Sequence, residues 1–247
     1  MKRETELLYA FEVHDAKAIR KLLAKGVDPN APIKGKPPIV QLYEMYARSS
    51  AFADCLSAMF EAGARLEDEV LKAVLLDDAS ALRGILERTP GERDRIINID
   101  CTFTALKGVT PLHVCAEYNS LACARTLLEA GADIDARAIV QPDGTGGHTP
   151  LFHTVNSIHA YCRPMMELLV EAGASLDVRA DSLMWGGGFD WETVIFEVTP
   201  ISYAQCGLLP QFHRKPGAVY EAIARLYRRK HGREPTITNV PNKYLQS

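Results

Sequence analysis

Apolar residues recur along the chain in short bursts at helical spacing, as at Leu121, Ala124, Leu127 and Leu128. Several bursts end alike, with an apolar pair or near-pair followed by a small polar stretch around one glycine. The pairs are Leu22-Leu23, Met59-Phe60, Leu127-Leu128 and Leu168-Leu169, and the glycines that follow are Gly26, Gly63, Gly131 and Gly173. These glycines lie 37, 68 and 42 residues apart. The middle interval is two periods, so one unit lacks its glycine, and that unit is visible at Ile85-Leu86-Glu87-Arg88-Thr89-Pro90. A glycine just past a helix takes the left-handed conformation that closes it.

A second signal lies upstream of the burst at 121–128. In Thr110-Pro111-Leu112-His113 the threonine is an N-cap, and proline occupies the first helical position, where its missing N–H costs nothing. Each unit therefore reads as helix, turn, helix and a glycine-closed exit into an extended connection. Such a unit cannot bury its apolar surface alone and must stack on its neighbours.

Thr110-Pro111-Leu112-His113-Val114-Cys115 resembles the ankyrin pattern T-P-L-H-x-A, with Cys for the small Ala. Thr149-Pro150-Leu151-Phe152 and Thr199-Pro200-Ile201-Ser202 repeat it with His replaced. The resemblance implies an all-α fold, an ankyrin-repeat α-solenoid of stacked helix-turn-helix units with projecting β-hairpin loops. One domain over 4–231 is expected, with repeats near 4–31, 36–67, 68–106, 107–140, 146–180 and 196–231. The first repeat lacks Thr-Pro and starts polar, as a cap should. In the fourth motif position, His113 is expected to hydrogen-bond between neighbouring turns.

The departures from the family period lie mostly between repeats. Thr110 to Thr149 is 39 residues and Thr149 to Thr199 is 50, against a family period of about 33. The longest extra segment, 178–198, reads as an inserted β-hairpin with strands near 179–185 and 191–198 around Gly186-Gly187-Gly188. A further insertion, 207–216, precedes a last helix from about 217 to 231, and 232–247 reads as a C-terminal tail.

What the resemblance implies for function is a protein partner bound at hairpin tips and on the exposed side of the first helices. By motif position those residues include Lys107, Val109, Glu117 and Tyr118 in one repeat, and His148, Asn156 and Ser157 in the next. The long hairpin adds Trp185, Phe189, Trp191 and Phe196, since aromatic side chains dominate binding hot spots. The same rings could instead form the hairpin's own core.

Composition narrows the alternatives. Net charge is −3, with 47% hydrophobic and 24% charged residues, which suits a globular chain. No apolar run reaches the length of a bilayer span, so no membrane partner is expected. Residues 213–233 hold seven Lys/Arg against one acid. Cations at a helix C-terminus suit the macrodipole and a soluble last repeat, and the acidic remainder argues against a nucleic-acid track. The six cysteines form no Cys-x-x-Cys pair, which points to reduced, packed thiols and a cytoplasmic location.

Catalytic signatures are absent: there is no Gly-x-Ser-x-Gly and no phosphate-binding glycine loop followed by Lys. His148, His153, His159 and Cys162 cluster in sequence without a zinc spacing, so no metal, cofactor or catalytic residue is assigned. Asp77-Asp78 reads as a capping turn. The expectation is a monomeric, non-catalytic interaction scaffold. The alternative is an enzyme or metal-dependent regulator with a site in the inserted loops.

Overall fold

The computed structural model describes residues 2–101, 106–155, 157, 160–185, 193–205 and 216–235. Six helix pairs run through them in chain order. They are α1 (Lys2–Glu12) with α2 (Ala16–Ala24), α3 (Pro38–Glu44) with α4 (Phe52–Glu61), and α5 (Glu69–Leu76) with α6 (Ala79–Arg88). After β1 (Ile97–Ile99) and β2 (Leu106–Val109) come α7 (Pro111–Tyr118) with α8 (Leu121–Glu129), then α9 (Pro150–Thr154) with α10 (Arg163–Glu171). A hairpin of β3 (Ala180–Trp185) and β4 (Thr193–Val198) leads to α11 (Pro200–Gln205) and α12 (Pro216–His231).

The pairs pile up in sequence order: α1 lies on α3 and α2 on α4, α5 on α7 and α6 on α8, α9 on α11 and α10 on α12. One apolar core runs through the whole stack, from Leu7 and Phe11 through Leu42, Leu56, Val74, Leu112 and Leu127 to Tyr227. The expected solenoid is the observed one, because each amphipathic pair finds its missing apolar partner in the next pair.

Local chemistry sets the ends. Thr110 and Thr149 precede Pro111 and Pro150 at the starts of α7 and α9. Asp15, Asp68 and Asp78 cap α2, α5 and α6, each accepting from the backbone N–H three residues on. Asp77 does something else. In the left-handed region at φ 53°, it turns its carboxylate to the backbone N–H groups of Ala122 (3.2 Å) and Cys123 (2.8 Å), so one repeat caps the second helix of the next.

Other side chains also join repeats. Asn30 Nδ2 donates to the Gly63 carbonyl, and its Oδ1 accepts from Arg65 N–H, both at 2.9 Å. Asp135 Oδ1 accepts from Ser175 N–H at 2.9 Å, and Tyr227 Oη donates to Asp177 Oδ1 at 3.0 Å.

Two antiparallel ribbons form the projections. β1 pairs with β2 in the register Asn98↔Lys107 and Ile99↔Leu106, with an irregularity next to Ile97↔Val109. β3 pairs with β4 in the register Ser182↔Phe196 and Leu183↔Ile195. The connection between them is tied to both: Ile139 N–H donates to the Gly108 carbonyl (2.8 Å), and Gly146 N–H to that of Ser182 (3.0 Å). Close approach makes both glycines obligatory. A Cβ on Gly108 would lie 2.6 Å from that of Ile139, and one on Gly146 would lie 2.6 Å from the Ile139 carbonyl oxygen.

The last helix ends against the stack as a cap. Lys230 Nζ donates to the Gly173 and Ala174 carbonyls beyond α10, Arg229 pairs with Glu171, and the Arg233 guanidinium lies over the Tyr227 ring. Among the described residues, no helix is long and apolar enough to cross a membrane.

Candidate interaction face and the buried network beneath it

The tied connections carry exposed apolar side chains. Ile139 is 49% exposed, Val140 54% and Phe196 65%, although the backbone around them is fixed by ladder and loop hydrogen bonds. Lys107, on β2, is exposed too, and its Nζ meets Asp100 Oδ1 at 2.7 Å. Lys107 and Phe196 are thus accessible side chains. Trp185 ends β3, but its side chain, with Asn156, Phe189 and Trp191, lies outside the described residues.

The remaining expected contact residues are not on the surface. Val109, Glu117, Tyr118, His148 and Ser157 are all buried. Val109 points into the core from the β1–β2 ribbon. Ser157 Oγ accepts from Cys162 N–H at 2.9 Å, and the His148 carbonyl accepts from Ala138 N–H at 2.9 Å. All eight residues of α7 are buried. The physical reason at Glu117 and Tyr118 is the segment 45–51, which separates α3 from α4 where Asp77 and Asp78 alone separate α5 from α6. Its Arg48 reaches Glu117 at the C-terminal end of α7.

Arg48 fixes that segment. Its side chain is buried, and Nε donates to Glu117 Oε1 at 3.0 Å. Nη1 donates to the carbonyls of Met45 and Ala47, and Nη2 lies 2.8 Å from Cys101 Sγ. The guanidinium carbon stands 4.2 Å from the centre of the Tyr118 ring, a cation–π contact. Tyr118 in turn donates its hydroxyl to the Tyr43 carbonyl. The other Glu117 oxygen accepts from His153 Nδ1, 3.1 Å away. A carboxylate only accepts, so His153 carries its proton on Nδ1. Glu117 is therefore a buried charge with a cation on one side and an imidazole on the other.

His153 opens onto two more histidines. The His113, His148 and His153 rings meet edge to face, with centroids 5.0 to 5.7 Å apart. His113 Nδ1 accepts from Thr110 N–H (3.1 Å), which leaves Nε2–H to donate to the His148 carbonyl in the next repeat (3.1 Å). That is the inter-turn bond expected of this position. Burial, and then the neighbouring His153, lowers the His113 pKa to about 3, so the ring is neutral. At the other end of the network, His14 Nδ1 meets Ser49 Oγ at 2.7 Å and its ring packs on Phe52. Burial, and then Arg48, lowers its pKa to about 4.

Among the described residues, no group of three or more His, Cys, Asp or Glu side chains is placed to hold a metal ion. Burial pushes the thiols of Cys115, Cys123 and Cys162 upward, away from the nucleophilic thiolate. Sequence reasoning singled out Glu117 and Tyr118 but missed Arg48, which lies in no repeated pattern. The one available hint was the long interval between the α3 and α4 bursts.

Helix pairs stacked in chain order, with antiparallel ribbons between them and the motif histidine His113 bonded to the next turn, define a helical-repeat solenoid. Residues 107–139 match the family described as ankyrin repeat. That segment is similar to an ankyrin repeat. The chain is similar to the solved ankyrin repeat domain of Bcl-3, described as a unique member of the IkappaB protein family. That match has 19% identity and a TM-score of 0.40, and covers 90% of this chain and 85% of that one. It is also similar to the human ASB11 ankyrin repeat domain, with 18% identity, a TM-score of 0.37 and coverage of 89% and 82%. No curated protein matches the chain. Ankyrin repeats in general mediate protein–protein interaction, on a fold that is typically non-catalytic.

Proposed function

We propose that the chain is a non-catalytic, monomeric scaffold that binds a protein partner through its ribbon tips. The supporting observation is the set of exposed apolar side chains, Ile139, Val140 and Phe196, on backbone held in place by hydrogen bonds to neighbouring ribbons. Such a surface loses little conformational entropy on binding, so the apolar contact is realised as affinity. Lys107 belongs to the same side through the Gly108–Ile139 bond and supplies a charged rim. Trp185, Phe189 and Trp191 remain candidates for the same surface on sequence grounds. A reducing, cytoplasmic setting fits the five described cysteines, all of which are free.

The test is affinity capture from a native lysate with wild type and an Ile139→Asp/Val140→Asp variant in parallel, followed by titration of the recovered partner with purified chain. The reading expects the partner to be lost with the variant while its circular dichroism stays unchanged. A partner held equally by both chains overturns it.

A further inference from the structure

The segment 45–51 and the residues beside it bind to more than the fourth pair. On one side they meet the end of α1 and the turn after it. Tyr46 Oη donates to Glu12 Oε1 at 2.8 Å, Ser49 Oγ lies 2.7 Å from His14 Nδ1, and the His14 and Phe52 rings are 5.4 Å apart. On the other side they meet the end of α7. Arg48 Nε donates to Glu117, the guanidinium covers the Tyr118 ring, and the Phe52 and Tyr118 rings are 5.1 Å apart. Tyr118 donates back to the Tyr43 carbonyl, and Arg48 Nη2 lies 2.8 Å from Sγ of Cys101, just past β1. One stretch of chain thus touches the first pair, the fourth pair and a projecting ribbon.

A stack of repeats bends and twists through small rotations between neighbouring pairs. A rotation between the second and third pairs, or between the third and fourth, changes the distance from the second pair to the fourth. Arg48 spans that distance. It is buried, and each of its three guanidinium nitrogens has a partner. Stretching the span would part a buried carboxylate from its cation, which costs far more than thermal energy supplies. Glu117 carries the tie one pair further, to His153 Nδ1 on α9 at 3.1 Å. His113 Nε2 crosses the same junction to the His148 carbonyl, which also holds Ala138 N–H next to Ile139 and Val140. Side-chain ties therefore run from the first pair to the fifth.

We propose that 45–51 is a brace that fixes the curvature of the stack, so that two projecting places keep a set separation in the free chain. One is the turn closed by Ile33 and Lys36, the other the connection that carries Ile139 and Val140. For a partner that touches both, the spacing is already in place before binding, and less orientational freedom is lost on docking. The brace is a property of the free chain and stands whether or not the ribbon surface binds a partner.

The experiment puts nitroxide labels on genetically encoded ketone side chains at the exposed positions of Lys34 and Val140 in the full chain. Double electron–electron resonance then gives the distribution of distances between them. Wild type is expected to show one narrow distance. Arg48→Met/Glu117→Gln removes both charges of the tie and strands neither, so the chain should stay folded, as circular dichroism checks. Its distribution should be at least about twofold wider, because two junctions are free to rotate. Tyr118→Phe removes only the bond to the Tyr43 carbonyl and should widen the distribution by a smaller step, which keeps the test open if the double variant unfolds. Leu82→Ala, a core truncation in the third pair outside the tie, controls for general loosening and should leave the width as in wild type. Three outcomes overturn the proposal: a broad distribution in wild type, equal widths in wild type and the folded tie variants, or a widening by Leu82→Ala as large as theirs.

Discussion

Replacing Arg48 with Met tests whether the buried ion pair holds the 45–51 segment on α7. The change keeps an unbranched apolar side chain but takes the cation away from Glu117, a buried carboxylate that also meets His153. Removing one member of a buried pair typically costs about 3–5 kcal/mol, because the stranded charge keeps its desolvation penalty. The lost stacking on Tyr118 and the freed carbonyls of Met45 and Ala47 act in the same direction. At about 2–4 °C per kcal/mol for a chain of this length, the melting temperature should fall by about 6–20 °C. Glu117→Gln removes the charge while keeping an acceptor for His153. The double variant Arg48→Met/Glu117→Gln should therefore recover most of the loss, with a coupling of at least about 2 kcal/mol. Urea unfolding of the four chains measures the cycle, and hydrogen exchange of 45–51 reports whether the segment lifts first. A cost below about 1 kcal/mol for Arg48→Met, or strict additivity in the double variant, refutes the reasoning.

Acidification should destabilise the fold through His14 and His113. Both pKa values are lowered, to about 4 and about 3, against about 6.5 in the unfolded chain. Stability is thus complete above about pH 6.5 and falls as pH drops toward 4 and then 3, by about 1.4 kcal/mol per pH unit for each histidine. Urea midpoints across that range check the slope, which His113→Asn should make shallower. Leu127→Ala, at a fully buried site, should cost about 2–5 kcal/mol in the same assay. Gly108→Ala, at φ 66° and against Ile139, should cost about 1–2 kcal/mol in backbone strain and free the 139–147 connection to limited proteolysis.

The repeat was readable in the sequence because its determinants are local. Thr110 before Pro111, His113 three residues on and Gly131 after Leu127-Leu128 each act on backbone within a few residues. The β3–β4 ribbon was readable for the same reason, from the β-branched and aromatic run Thr193-Val194-Ile195-Phe196. The candidate site was legible only in part. Whether Glu117 and Tyr118 face solvent depends on a segment from a repeat two positions earlier, and no local pattern records that its Arg48 reaches them. Lys107 and Phe196 sit on ribbons whose exposure follows from strand alternation alone. Ile139 and Val140 give no sequence signal of exposure, because an apolar pair in a connection looks like packing until the backbone shows it turned outward.

A stacked-repeat chain normally behaves as a row of dominoes in which each unit feels only the two beside it. The contacts of Arg48 with Glu117 and of Tyr118 with the Tyr43 carbonyl break that rule, because they join the second pair to the fourth over the head of the third. The second, third and fourth pairs should consequently melt as one block. Shortening the chain from the front by two pairs would also take a buried counter-charge away from a helix it never touches in sequence.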